Sequence, residues 1–469
     1  MSGTTGEGTG LDEAGPDGTT TVAWTSGGGV RPVSLWFDQA ESDAPLPPRD
    51  PLDGDTTADV VVVGAGLTGL WTAYYLLEAD PALDVLVVDA AVAGHGASGR
   101  TGGWASSGSP AAADRVAALH GPAAARALRA ALRDAVVEVG GVAAAELIDC
   151  DLAVGGLVTV ARTPAQLARL RQHAAAARAW DDEVELLTPD RVVEHLGGSE
   201  PPGGGVLGGA FTPDAARVQP VRLVRGLVEV VTARGARLAE HTRALRVSPR
   251  ALVTDQGTVR ARSVVVTTGA GGTDLRRPVP AGRVHAIATA PLPADVWRAV
   301  GLDRGRTLAD AAHHPVHAVR TADDRLVLSG RVGAAGDQDP RATRRLRAGL
   351  ADLLPATSGA AVTHAWGGVA SPVDDGRLAL GLDPGTGIGW ADGHGDDGVV
   401  ASNLAGRTLA DLLTGTDSAL TRLPRVDGPA TAGPLRRART AVRSALPGLA
   451  DAEERVTGRP SRLARLGEG

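Results

Sequence analysis

Cysteine is nearly missing from this chain: Cys150 is the single one in 469 residues, so no intrachain disulfide can form. A lone cysteine reads as a small core residue rather than a thiolate nucleophile. Aromatic residues are also scarce, with two Phe and two Tyr beside eight Trp. That argues against a tyrosine-built cage and leaves a tryptophan-lined one open. No apolar run reaches membrane-spanning length, and the first forty residues lack the basic start and apolar core of a secretory signal. The formal net charge is -7, and no concentrated basic face precedes the C-terminal tail, which argues against a nucleic-acid binder. These absences lead to the expectation of a soluble, cytoplasmic protein without membrane insertion. The length is enough for a full core and about two domains.

What the chain does have is a nucleotide signature. Residues 1–30 are rich in Gly, Thr, Asp and Ser and read as a disordered leader. Ser34–Gln39 is the first apolar patch and can fold back on a domain surface. Val60–Val63 then reads as a buried strand, Gly64, Gly66 and Gly69 as a glycine turn opening a helix that ends before Pro81, and Val85–Val88 as a second strand followed by Asp89. Gly64 permits the tight turn, Gly66 lets backbone approach a pyrophosphate, and Gly69 lets helix and strand pack closely. Asp89 falls where a carboxylate accepts from a ribose hydroxyl, and the helix N-terminus offers unpaired amides to phosphate. The site is therefore read as one for a dinucleotide.

The glycine-dense loop Val92–Trp104 can lay main chain along a flat cofactor; His95 within it reads as loop packing. Helical spacing covers 111–145, and Thr163-Pro164 and Thr188-Pro189 start short helices at about 164–178 and 189–196. Residues 152–160 read as a strand pair or bulged strand, Gln219-Pro220 opens another helix, Thr242–Val247 leads into a hairpin-like pair centred on Asp255–Gly257, and Ser263–Gly272 returns to the nucleotide sheet. From 285 to 355 the pattern is further sheet, clearest at Ala286–Ala290 and Arg325–Gly330. Strand alternation would put His313 and His317 on one face, but no Cys or spaced acid completes a metal site there, and no metal is expected. Residues 430–469 are rich in Arg, Pro, Gly and Ala and read as a surface helix or tail.

The late stretch is the most informative. Ile388–Ala391 reads as a short strand running into a glycine loop and then a helix to Leu413. Its amides are aimed at a second electron-rich point, and an isoalloxazine that gains an electron pair develops negative charge near N1. A nicotinamide enzyme has no obvious use for this second return.

Taken together, the motifs Val62–Gly69, Gly96–Gly103, Val218–Pro220, Trp366–Gly368, Gly395–Val399 and Asn403–Leu409 resemble those of FAD-dependent amine or amino-acid oxidoreductases of the D-amino-acid oxidase superfamily. Within it the chain is similar to the glycine and sarcosine oxidase branch, and to its gamma-glutamylputrescine oxidoreductase-like group. The resemblance implies a mixed α/β fold, with a Rossmann-like FAD-binding domain assembled from 31–150, 205–282 and 360–420. A substrate domain with a mixed or antiparallel sheet would come from 151–204 and 283–359, and 421–469 would be a tail or surface helix. It implies noncovalent FAD held by Gly64, Gly66, Leu67, Thr68, Gly69, Asp89, Ala97, Ser98, Gly99, Arg100, Thr101, Gly102, Gly103, Val247, Thr268, Gly269, Trp366, Gly395, Asp396, Asp397, Gly398 and Val399. Substrate-pocket candidates are Trp104, His313, His317 and His364, with no catalytic residue assigned. The implied reaction is oxidation of a C–N bond in an amine or amino acid by hydride transfer to flavin N5, followed by imine hydrolysis, with O2 as acceptor. The alternatives are a dehydrogenase using a quinone or protein acceptor, and a non-catalytic FAD-binding protein.

Overall fold

The valine run at residues 60–63 does not alternate with polar residues, and the computed structural model gives the reason. In β1 (Thr56–Val63), Val60 and Val62 pack into a helical layer on one side, while Val61 and Val63 pack into a second cluster on the other. A strand buried on both faces needs apolar groups at every position. The structure describes residues 34–44, 49–108, 111–269, 282–332, 339–370, 379–392, 394–395, 397–425 and 446–463, apart from 455, 458 and 462. The leader expected at 1–30, Asp396, and residues 426–445 of the expected tail lie outside the described residues.

Ahead of β1 lies helix α1 (Leu35–Asp43), capped by the Ser34 hydroxyl, which accepts from the Phe37 amide. After β1 come α2 (Leu67–Ala79) and β2 (Val85–Val88). Later the chain adds β3 (Thr258–Gly269), β4 (Gly282–Thr289), β5 (Val316–Arg320), β6 (Leu326–Gly330), β7 (Val362–Ala370), β8 (Ile388–Asp392) and α3 (Gly398–Thr414).

The first sheet has β3, β1, β2 and Arg237–Ala239 side by side and parallel, with β8 on the other flank of β3. β3 is long because it serves two partners along that flank. Its first half pairs antiparallel with Ala251–Thr254, and its second half runs parallel to β8. Helices α2 and α3, with Pro122–Ala145 and Pro220–Ala233, bury their apolar sides on one face of this sheet.

The second sheet runs in the order β7, β4, β6, β5, Thr307–Asp310, Leu157–Ala161, Gly208–Thr212 and Glu185–Leu187. Only the pair Thr307–Asp310 with Leu157–Ala161 is parallel, so the sheet is mixed, as expected. Two of its strands come from segments expected in the cofactor-binding part. Gly208–Thr212 and β7 make their hydrogen bonds within the second sheet instead. The helical stretch expected at 111–145 is two helices, divided where Gly121 takes φ +87° ahead of Pro122. Among the described residues, no helix is long and apolar enough to cross a membrane.

Asp310 ends its strand inside the protein, 8% exposed, where it accepts from the Val316 amide at 3.1 Å. Burial pushes its carboxyl up to about 6, against the pull of the Val316 amide and Arg162. Between the ordinary carboxyl range and pH 6 the native state holds this proton and the unfolded chain does not, so the group's contribution to stability falls as pH rises through that window. Asp310→Asn should therefore match the wild type near pH 4 and exceed it near pH 7.5 by on the order of 2–3 kcal/mol in urea unfolding. Equal stability of the two proteins at both pH values would contradict this account.

Candidate active site

The turn after β1 presents bare main chain at its glycines. Gly64 takes φ +109°, and its amide donates to the Val88 carbonyl at 2.8 Å. A Cβ on Gly69 would overlap the Gly64 carbonyl oxygen, so only glycine lets α2 lie this close to the strand. A Cβ on Gly66 would sit 2.9 Å from the Ser98 hydroxyl, which accepts from the Leu67 amide at 2.9 Å. Asp89 accepts from the amides of Ala65 at 2.8 Å and Ala91 at 2.9 Å. Burial pushes its carboxyl upward, and those two amides pull it back. A carboxylate with two acceptor oxygens has lone pairs beyond these two bonds, so the residue fits a ribose hydroxyl as well.

The loop after β2 contains a short turn of helix, Ala97–Arg100, clamped from behind by tryptophan. Trp36 donates its indole N–H to the Thr101 carbonyl at 2.8 Å, and Trp366 donates to the Arg100 carbonyl at 3.1 Å. The two indoles meet edge to face at 6.2 Å between centroids. Arg100 braces the same loop by donating to the carbonyls of His95 at 3.0 Å and Gly367 at 3.2 Å. A Cβ on Gly99 would run into Phe37, and one on Gly103 into Trp36, so α1 is the surface against which the loop is cast.

A cavity of about 430 Å³ lies between these elements and the second sheet. One wall is Leu67 and Thr68 at the start of α2, Thr268 and Gly269 at the end of β3, and Gly395, Gly398 and Ser402 at the start of α3. The loop contributes His95 to Ser98 and Arg100 to Gly102. The opposite wall is Val284, His317, Ser329, Gly330, Arg331 and Gly368. His394 lines the cavity just ahead of α3, with its Nε2 2.9 Å from the Thr68 hydroxyl. Burial pushes its imidazole down to about 4, so it is neutral at ordinary pH. Trp104 and His317 line the cavity from opposite elements and stack, with centroids 4.1 Å apart and planes within 10°.

Several expected site residues sit elsewhere. Gly64, Gly66, Gly69, Asp89, Gly99 and Gly103 shape the turn and loop around the cavity without lining it. Val247 is on the edge strand Ala244–Ser248, packed against the far cluster that holds Val61 and Val63. Trp366 is buried support, 1% exposed. Val399 is buried in the helical core, and Asp397 accepts from the Ser106 hydroxyl at 2.5 Å. His364 is buried between Thr363 and Asp38, with Nε2 3.1 Å from the carboxylate. His313 precedes β5, so strand alternation does not carry it to the face of His317, and its ring meets Glu454 and Arg169. Cavity-lining residues outside the expected set include His394, Ser402, Ser329, Arg331, Val284 and Pro315, and His95, expected to pack in its loop, also lines the cavity. The signal for His394 was a histidine inside the Gly-His-Gly turn that starts α3.

A family model described as FAD dependent oxidoreductase matches residues 59–412. The chain belongs to that family. Among curated proteins, the probable oxidoreductase OrdL of Rhizobium meliloti is 28% identical over 418 residues, covering 87% of this chain and 94% of the relative. The gamma-glutamylputrescine oxidoreductase of Escherichia coli is 28% identical over 384 residues, covering 78% and 86%. Among solved structures, a glycine oxidase from Bacillus cereus superposes with a TM-score of 0.64 at 17% identity, covering 79% of this chain and 99% of that one, which shows the shared fold. The protein is thus an FAD-dependent oxidoreductase. Its residues fit the cofactor, because glycines leave main chain bare at the turn, Asp89 stands beside it, and two helix N-termini border the cavity. The sole Cys150 is buried in the helical core, its thiol pushed up to about 11 by burial, and offers no attachment point in the cavity.

Gly69→Ala should cost about 1–3 kcal/mol of stability, because it meets an unyielding backbone carbonyl, and should also lower the FAD-to-protein ratio. Gly66→Ala meets only a hydroxyl that can turn away, and should lower FAD content with a smaller stability loss. Denaturant unfolding together with the flavin absorbance ratio checks both, and a Gly69→Ala protein of unchanged stability would refute the close-approach argument.

Proposed function

We propose that the chain oxidises the C–N bond of a small primary or secondary amine or amino acid, using FAD held without a covalent bond and passing electrons to O2. The arrangement that supports this reading is the cavity between two walls. One is bare main chain with helix N-termini, and the other is the side-chain face of the second sheet. A flat cofactor suits the first, and a small substrate suits the second, where the Trp104–His317 stack gives a rigid wall and Arg331 adds a positive charge suited to a carboxylate. The division of labour we propose follows the sheets, with Gly208–Thr212 and β7 assigned to the substrate part. The names of the relatives, which include an oxidoreductase of gamma-glutamylputrescine and glycine oxidases, favour amines and amino acids.

The chemistry FAD supplies when bound is acceptance of a hydride equivalent from the carbon that bears nitrogen. The chain's part is to orient that carbon and to admit the amine in its neutral form, since an ammonium cannot readily give up hydride. Proton collection by this site is weakly provided for. The chain contains no lysine, and no carboxylate lines the cavity among the described residues. His394 is too weak a base, held near 4, to keep a proton taken from an ammonium. His95 and His317 also line the cavity; in the mechanism proposed here the amine sheds its proton to water and binds as the free base, and the imine product leaves to be hydrolysed.

An amine or amino-acid substrate should bleach the flavin absorbance anaerobically, and turnover in air should release peroxide. The value of kcat/KM should rise with pH and level at the ammonium pKa of whichever substrate is used. A pH profile set by one enzyme group and unchanged between substrates of different pKa would show a protein base and overturn this mechanism. A folded, FAD-loaded protein that no amine or amino acid bleaches would overturn the function.

A further inference from the structure

The family match ends at residue 412, but the described chain does not. A helix over residues 446–454 lies against the loop that leads into β5. Ala450 is fully buried and Glu454 is 5% exposed, so the two, one turn apart, mark the docked face. Asp451 accepts from two consecutive amides of that loop, His313 at 2.8 Å and His314 at 3.0 Å, one on each carboxylate oxygen. Glu454 accepts from Arg169 at 2.5 Å, lies 2.9 Å from the His313 ring, and takes the Ser461 amide at 3.0 Å. Arg169, from the helix Pro164–Ala177, also donates to the Ala311 carbonyl, so the loop is gripped at three successive points. The next residue, Pro315, lines the cavity, and two residues further His317 stacks on Trp104.

His313, Asp451 and Glu454 have the ligand types of a metal site and lie within 4.8 Å of one another. That role is already taken by protein groups. Arg169 stands among them as a cation, 2.6 Å from the His313 ring nitrogen and donating to Glu454. The cluster is built to hold a loop.

We propose that the C-terminal helix is a clasp that sets the substrate-side wall of the cavity, with Asp451 and Glu454 as positioning residues. They touch neither substrate nor cofactor. Their effect passes through main chain, since fixing the amides of 313 and 314 fixes where Pro315 enters the cavity and how the His317 ring meets Trp104. A displacement of about 1 Å at a substrate wall is enough to lower kcat/KM by an order of magnitude or more. Asp451, Glu454, Arg169 and His313 all lie on the second-sheet side, so FAD uptake is independent of the clasp. The effect on substrate rests on the reading of this cavity as the place of amine oxidation, whereas the effect on the loop does not.

The test uses full-length, FAD-loaded enzyme with Asp451→Ala and Glu454→Gln. Amide exchange over residues 311–317 should quicken in Asp451→Ala, a readout that needs no substrate. KM for an amine that bleaches the wild type should rise about tenfold or more in Asp451→Ala, with kcat and the flavin spectrum little changed. Asp451→Asn, which keeps one acceptor oxygen, should fall between. A merely structural helix would lower the melting temperature and leave KM of the surviving enzyme unchanged. Unchanged exchange, unchanged KM, or a KM change accompanied by FAD loss would each overturn the clasp. Quickened exchange in a protein that no amine bleaches would leave the clasp standing and remove the proposed function instead.

Discussion

Helix α3 touches α2 at Gly406, where a Cβ would meet the Trp71 Cβ and the Thr72 amide nitrogen. The rest of the site depends on that crossing. It brings the N-termini of two helices whose starts lie more than three hundred residues apart in sequence to the border of one cavity, and the Thr68–His394 contact ties them there. Without it, the first glycine turn would be a nucleotide site with nothing to receive the other half of a flavin dinucleotide. The parallel strands β1, β3 and β8 serve the same end by delivering their carboxyl ends to one edge, the usual position for ligands in such sheets.

Rigidity around the cavity comes from polar groups held out of water. Arg129 and Asp182, 4% and 8% exposed, pair at 2.9 Å. Arg129 also donates to the carbonyls of Ser107 at 2.7 Å and Gly108 at 3.1 Å, just after the strand that carries Trp104. A buried ion pair adds little stability by itself, and here it fixes the loop by giving those two carbonyls a charged donor. Trp36 and Trp366 do the same for the loop at 97–101, each burying a large ring and spending its one N–H on a loop carbonyl. The same logic holds at Asp451, where two loop amides meet one carboxylate.

Local chemistry was readable from the sequence, and convergence was not. Gly64, Gly66 and Gly69 between two valine strands carry their meaning within thirty residues, because turn geometry and close packing are local demands. The Thr163-Pro164 and Thr188-Pro189 starts likewise gave helices at Pro164–Ala177 and Pro189–Leu196. His394 does not read as a site residue from sequence because its partner Thr68 is remote, and Ser34–Gln39 reads as a patch that folds back without showing that it meets a loop 65 residues away. His313 was misplaced for a simple reason. Alternation holds only inside a strand, and β5 begins at Val316. Val247 has the apolar type of a strand residue, and nothing in its own neighbourhood tells which cluster it will join.

The central claim is that three separated segments converge on one FAD. Hydrogen–deuterium exchange of the apoprotein before and after FAD addition tests it most directly. Protection should appear together at residues 64–69, 95–104 and 394–402. Protection confined to 64–89, with the other two segments unchanged, would contradict the account.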